Sequence, residues 1–81
     1  MRRIEQNVVG TVNNIIAQAL CCDIEQVTKD KDMYYDLLAD SLAMIDIFVA
    51  LEQTYSIAYT EEDITKIERV EDIYHFVNVH I

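Results

Sequence analysis

Hydrophobic residues recur at spacings of three and four along the first part of the chain, which predicts an amphipathic helix over about residues 4–20. The apolar stripe consists of Ile4, Val8, Val12, Ile15, Ile16, Ala19 and Leu20. Asn and Gln side chains occupy the opposite face. Gly10 within the segment weakens a helix by about 1 kcal/mol relative to Ala, but the pattern does not end there.

The periodic pattern fades between about Cys21 and Asp40, where Asp and Thr residues accumulate. Their short side chains bond to nearby backbone and favour turns and helix caps. A long loop is therefore predicted, with Val27, Met33 and Leu37 as the points where it enters the core. A connection of this length without its own structure is uncommon and is usually functional.

A second helix is predicted from about Ser41 to Thr54 or Tyr55, and it is apolar on two sides. One side has the spacing of a buried stripe, formed by Met44, Ile47, Phe48, Leu51 and Tyr55. A second apolar ridge consists of Leu42, Ile45 and Val49. A helix with two apolar sides is either buried twice or keeps one side for a partner, and the pattern alone leaves both interpretations open.

Two further helices are predicted near the C-terminus. Thr60 and Asp63 have the spacing of a capping box, which predicts a short helix ending near Lys66 or Ile67. The last helix is predicted to begin near residues 69–71, with Val70, Ile73, Tyr74 and Val77 as its apolar face. The expected fold is all-α: a small four-helix bundle of three main helices and one short helix, forming one domain over residues 1–81, with a long loop between the first two helices.

Composition agrees with a helical fold and restricts the partners. The 81 residues include one Gly and no Pro, whereas β-rich domains need many tight turns that use these residues. Six basic and fifteen acidic residues give a net charge of −9. This charge disfavours nucleic acids and anionic membranes, which bind Lys and Arg, and it favours partners with basic patches.

Cys21 and Cys22 are adjacent, a spacing that does not suit a disulfide, and two cysteines do not make a staple framework. This cysteine usage is typical of a reducing compartment. Neither a signal peptide nor an apolar run of membrane-spanning length is visible. We therefore expect a soluble cytoplasmic protein.

Metal binding and catalysis find little support in the sequence. Asp30, Asp32 and Asp36 resemble part of a calcium loop, but Tyr35 replaces the turn glycine and Ser41 replaces the closing glutamate. No metal site is predicted. No pair of a base and a nucleophile with an orienting third group stands out, so the chain is not predicted to be an enzyme.

One motif carries candidate chemistry, at the start of the second helix. Residues 36–42 read Asp-Leu-Leu-Ala-Asp-Ser-Leu. On these residues alone, Ser41 or Asp40 is simply a helix N-cap. The stretch, however, resembles the Asp-Leu-Gly-x-Asp-Ser-Leu motif of the acyl carrier protein family. The resemblance continues in register through Val27-Thr28, Met33, Ala50-Leu51-Glu52, Tyr55, Glu61-Glu62-Asp63, Ile67 and Val70.

The resemblance implies a function. In this family a phosphopantetheinyl transferase attaches 4'-phosphopantetheine from coenzyme A to the serine that Ser41 matches, and acyl groups are carried on the arm as thioesters. Asp40 and Leu42 flank the attachment site. Acyl-loading, condensing and acyl-transfer enzymes with basic patches are the implied partners. The implied partner surface is Leu42, Ile45, Asp46, Val49, Glu52, Glu61 and Glu62. The implied acyl cavity is Met44, Ile47, Phe48, Leu51 and Tyr59, which equally fit an ordinary core.

The motif also departs from the family pattern. Leu38 replaces the usual Gly, where a positive φ would strain a leucine and shift the loop, and Tyr34-Tyr35 add aromatic bulk. These changes favour a carrier of a specialised fatty acid or polyketide-type pathway over the general carrier of fatty acid biosynthesis, which stays the alternative. Two other functions stay open. One is an aminoacyl or peptidyl carrier, although the Asp before Ser41 favours acyl cargo. The other is an acidic helical adaptor in which Ser41 is unmodified.

Overall fold

The computed structural model describes residues 6–81, and within that range its regular elements are helices joined by loops. Its helices are α1 (Gln6–Leu20), α2 (Ser41–Tyr55), α3 (Glu61–Thr65) and α4 (Val70–His80). A short 3-10 turn (Ile24–Gln26) follows α1. The all-α prediction is confirmed. Ile4, the predicted first residue of the α1 stripe, lies outside the described residues. None of the helices described is long and apolar enough to cross a membrane.

The core forms where the predicted apolar faces of the three long helices meet. Phe48 of α2 lies at its centre, with its ring centroid 5.4 Å from that of Tyr59 and 5.1 Å from that of Phe76. The Tyr74 hydroxyl of α4 donates a hydrogen bond to the Asn13 side chain of α1. Burial raises the pKa of the Tyr74 hydroxyl further above neutral pH, where a tyrosine is already protonated and able to donate. Fully buried side chains at this centre are Val12, Ile16, Met33, Met44, Ile47, Phe48, Leu51, Val70, Ile73 and Val77.

The long loop between α1 and α2 is more ordered than its sequence indicates. Besides the 3-10 turn, it is tied to the start of α4 by backbone hydrogen bonds. The Met33 amide donates to the Glu68 carbonyl at 2.8 Å, and the Val70 amide donates to the Lys31 carbonyl at 3.0 Å. Met33 is fully buried, as predicted. The predicted long loop between the first two helices is therefore confirmed, and the structure adds a short 3-10 turn and these bonds to it.

Among residues 6–81, three non-glycine residues have a left-handed backbone: Cys21, Leu38 and Ser56, with φ of 54°, 58° and 56°. Cys21 directly follows α1 and Ser56 caps α2, the position where helices commonly end in this conformation. Leu38 instead lies inside the loop, and its side chain is 78% exposed. The loop therefore keeps a positive φ at the position where the family usually has Gly, and Leu38 bears the strain.

Replacing Leu38 with glycine is expected to stabilise the protein. The left-handed conformation costs an L-residue about 1–2 kcal/mol, which glycine avoids. Glycine, however, loses more conformational entropy on folding, which costs about 0.5–1 kcal/mol. The expected net gain for Leu38→Gly is about 0.5–1 kcal/mol, or roughly 2–8 °C in Tm, measured by thermal unfolding.

Leu38→Ala is the matched control. Alanine keeps the Cβ atom that causes the strain, and the exposed leucine side chain contributes little packing, so the free energy of unfolding should not rise and should stay within about 0.5 kcal/mol of the wild-type value. An equal Tm for the glycine variant and the wild type, or a gain for the alanine variant, would contradict the strain assigned to residue 38.

Candidate functional site

The start of α2 is set by Asp40, whose backbone is extended (φ −101°, ψ 179°). Its Oδ1 accepts a hydrogen bond from the Ala43 amide at 2.8 Å, which makes Asp40 the N-cap. Ser41 is the first helical residue and is exposed. Because Asp40 caps the helix, the Ser41 hydroxyl is not needed for that purpose. Within residues 6–81 it forms no hydrogen bond. Of the two capping interpretations, the structure supports Asp40.

The turn that precedes this cap is organised by two acidic side chains. Asp32 Oδ1 accepts from the amides of Tyr34 and Tyr35, each at 2.9 Å, and Asp36 Oδ2 accepts from the Asp32 amide at 2.8 Å. The loop then returns to the core at Ala39, whose amide donates to the Met33 carbonyl at 2.8 Å. The carboxylates that resemble part of a calcium loop therefore stabilise a turn. No cluster of three or more metal-ligating side chains occurs within the described chain.

A groove of about 270 Å³ runs between α2 and α3 beside Ser41. It is mainly apolar, with the Ser41 side chain at its wall and Glu61 contributing the one acidic group. Four of the predicted site residues, Ser41, Met44, Ile45 and Glu61, therefore lie together. Sequence reasoning missed Tyr34 as part of this groove, although the aromatic pair in the loop was a visible signal. The lining residues are Tyr34, Ser41, Met44, Ile45, Glu61, Ile64 and Thr65.

A second groove, of about 280 Å³, lies on the other flank of the α2 N-terminus, between α1 and α2. It brings Leu38 of the loop together with Asp40, Leu42 and Asp46. Leu42 is 70% exposed and Leu38 is 78% exposed, so two leucines near Ser41 face solvent. The lining residues are Ala19, Leu20, Leu38, Asp40, Leu42, Ala43 and Asp46. Ser41 thus stands between two grooves.

The second apolar ridge of α2 is a surface feature and does not form part of the core. Leu42 and Ile45 are exposed and Val49 is half-buried, whereas Met44 and Ile47 on the other side are fully buried. The structure therefore leaves this ridge open on one side of α2. Whether a partner covers it stays a prediction.

The acids predicted around this ridge are all exposed: Asp46, Glu52, Glu61 and Glu62. Their negative charges are not equally available to a partner. Glu62 lies 3.7 Å from the Lys66 ammonium on the same short segment, and both side chains are largely exposed. Such an exposed pair contributes only about 0–1 kcal/mol, but it partly offsets the charge of Glu62. Asp46 and Glu61, each lining a groove beside Ser41, are therefore the acids best placed to meet a partner.

The predicted cavity residues form packed interior. Met44, Ile47, Phe48 and Leu51 are fully buried, and Tyr59 is half-buried with its ring against Phe48. Of the five, Met44 alone lines the groove beside Ser41. Their burial is what an ordinary core requires. A role in sheltering an acyl chain stays a prediction.

The geometry at Ser41 fits a phosphodiester. The amides of Ser41 and Leu42 lie in the first turn, where no helical carbonyl reaches them. The helix dipole places partial positive charge at this end; the Asp40 carboxylate at the N-cap offsets part of it, and the first turn of α2 adds no further acid. An exposed hydroxyl at a helix N-terminus thus combines accessibility with an anion-favouring field. The neighbouring grooves offer apolar surface to anything attached there.

Comparison with known proteins agrees with this geometry. The family described as the phosphopantetheine attachment site matches residues 11–77, most of the chain. A solved structure from Mycobacterium tuberculosis, assigned as an acyl carrier protein, superposes with a TM-score of 0.83. The two sequences are 29% identical, and the match covers 89% of this chain and 96% of the other.

Loss of the Asp40 cap is expected to destabilise α2. Asp40→Ala leaves the Ala43 amide without its acceptor, which should lower the free energy of unfolding by about 1 kcal/mol. Urea unfolding followed by circular dichroism measures this change. Asp40→Asn is the control, since its side-chain oxygen still caps the helix and most of the stability should return. Equal losses in the two variants would show that the cap is not what Asp40 contributes.

Proposed function

The chain belongs to the acyl carrier protein family, and we propose that Ser41 is the residue that carries 4'-phosphopantetheine. A member of this family is a carrier and has no catalytic activity of its own. The observation that supports Ser41 is its hydroxyl, which is exposed and released from capping because Asp40 performs that function. The motif in residues 36–42 places the serine at the matching position.

Each residue at the junction has a distinct part in this proposal. Ser41 Oγ is the nucleophile, and it forms a bond to the phosphorus of coenzyme A that bears the pantetheine. The pyrophosphate bond breaks, adenosine 3',5'-bisphosphate leaves, and the hydroxyl proton passes to a base of the transferase. Asp40 fixes the helix start and thereby the direction of the Ser41 side chain. The bound arm supplies a thiol that holds cargo as a thioester.

We further propose acyl cargo within a specialised fatty acid or polyketide-type pathway. The aspartate before Ser41 supports acyl cargo over aminoacyl cargo. Leu38, Tyr34 and Tyr35 support a specialised pathway, because they change the surface around the attachment site from the usual family pattern. Met44 connects the groove at Ser41 with the core, so an acyl chain entering the interior would pass this side chain.

The proposed partner surface is the exposed ridge of α2 with its acids. Leu42, Ile45 and Val49 supply apolar contact, and Asp46, Glu52, Glu61 and Glu62 supply charge for basic residues of the transferase and the pathway enzymes. Exposed charge pairs of this kind steer encounter and orientation more than they add affinity. A carrier that visits several enzymes needs that balance, because it has to leave each one. We propose that it works as a cytoplasmic monomer, in keeping with its two free thiols.

Attachment at Ser41 is tested by incubation with coenzyme A and a broad-specificity phosphopantetheinyl transferase, followed by intact mass measurement. The wild type should gain one phosphopantetheine and Ser41→Ala should gain none. Ser56→Ala is the matched control, since Ser56 is the other serine of the chain and is also exposed. It should be modified like the wild type.

Modification of Ser41→Ala would overturn the assignment. Absence of modification in the folded wild type would favour the acidic adaptor, which does not need an arm. If the arm is attached, loading with acyl and aminoacyl groups then separates the two kinds of carrier.

The acids nearest Ser41 are expected to accelerate the encounter with the transferase. Neutralising both, in Asp46→Asn with Glu61→Gln, should lower kcat/KM for arm attachment by about threefold to tenfold at low ionic strength. The difference should shrink as salt is added, because exposed charges are screened over about 10 Å at 0.1 M. Steady-state kinetics at several salt concentrations measure it.

The control removes two exposed acids from the loop after α1, Asp23→Asn with Glu25→Gln, which line neither groove beside Ser41. This pair changes the net charge equally. A loss of rate equal to that of the first pair would show that overall charge, and not the placement of Asp46 and Glu61, steers the encounter.

A further inference from the structure

We propose that Leu38 is a recognition residue for the phosphopantetheinyl transferase, whose surface takes up the exposed leucine side chain while it acts on Ser41. The inference rests on the proposed function of Ser41 and adds a specificity-determining residue outside α2. It follows from the backbone strain at Leu38, its exposure, its place beside Ser41 and the charges around it.

The strain at Leu38 is not offset by packing of its own side chain. Its φ of 58° disfavours any residue with a Cβ atom, and glycine would relieve it. The free-energy cost of a strained backbone can be offset when the side chain of the strained residue packs in the core, yet Leu38 is 78% exposed. Tyr35 of the same turn is 86% exposed. Strained backbone concentrates at functional sites, and a strained leucine pointing to solvent contributes only when something else covers it.

The position of Leu38 identifies what covers it. Leu38 precedes Ser41 by three residues and shares a groove with Leu42, the residue directly after the serine. The transferase has to bring the phosphorus of coenzyme A within bonding distance of Ser41 Oγ. Its surface therefore closes over the residues on both sides of the serine. Enzymes that act later meet the thiol at the far end of the arm, so they are not forced to approach Leu38 as closely.

The charges around Leu38 define the complementary surface. Asp36 precedes it in the turn, and Asp40 and Asp46 line the same groove. All three carboxylates are exposed around an apolar centre formed by Leu38 and Leu42. The matching surface on the transferase is an apolar pocket bordered by Lys or Arg side chains. A partner surface without basic side chains would remove these carboxylates from water without pairing them, which costs free energy.

The test separates the side chain of Leu38 from its effect on the fold. The kcat/KM for arm attachment is measured with coenzyme A and the phosphopantetheinyl transferase from the same source as this protein, for the wild type and for three variants at this position. Leu38→Gly and Leu38→Ala remove the side chain and should lower kcat/KM by about tenfold or more, the loss expected when a leucine side chain is no longer buried against the transferase. Leu38→Met keeps an apolar side chain of similar volume and should stay within about threefold of the wild type.

Thermal unfolding of the same variants tests whether a lower kcat/KM comes from loss of the folded state. The glycine variant is expected to be more stable than the wild type while accepting the arm more slowly, so its loss of rate does not come from unfolding. Val79→Ser is the matched control, since Val79 of α4 is 75% exposed and lines neither groove at Ser41. Its kcat/KM should equal that of the wild type.

Three results would overturn the inference. The first is an unchanged or higher kcat/KM for Leu38→Gly. The second is a loss confined to the glycine variant with alanine unaffected, which would assign the effect to backbone flexibility. The third is an equal loss for Val79→Ser. Failure of the wild type itself to accept the arm is a separate result, which would count against the proposed function of Ser41.

Discussion

The hydrogen bond from the Ala43 amide to the Asp40 carboxylate is the interaction on which the rest of the site depends. It starts α2 at Ser41 and so sets the rotation of the whole helix. With that rotation Met44 and Ile47 face the core, while Leu42 and Ile45 face solvent. The same bond satisfies a backbone donor that Ser41 would otherwise be needed to satisfy. An exposed, unengaged hydroxyl at the end of a rigid helix is its consequence.

The loop before this cap is held in place from a distance. Three backbone hydrogen bonds join it to the start of α4: Met33 to Glu68, Val70 to Lys31 and Glu71 to Lys29. The buried Met33 side chain and the Asp32 turn complete its support. The chain thereby arrives at Leu38 with little freedom, and the left-handed conformation there closes the last turn before the helix. This support fixes the approach of the chain to the start of α2, where Ser41 lies.

Local signals predicted much of this architecture from the sequence. The apolar spacing gave the bounds of α2, and the spacing of Thr60 and Asp63 gave the capping box of α3, which the structure confirms. The ties between the loop and α4 were not predicted, because they are backbone bonds between segments more than 30 residues apart and no side-chain spacing encodes them. The place of Tyr34 in the groove beside Ser41 depends on those same ties.

Locating the attached group on the chain is the most direct test that Ser41 is the attachment site. After modification the protein is reduced, which removes any coenzyme A joined to Cys21 or Cys22 through a disulfide. Cleavage after Lys31 and Lys66 releases residues 32–66, which contain both serines, and fragmentation of this peptide by mass spectrometry assigns the group to one residue. We expect phosphopantetheine on Ser41 alone. Phosphopantetheine on Ser56, on a threonine of this peptide or on any residue outside it would contradict the assignment of Ser41.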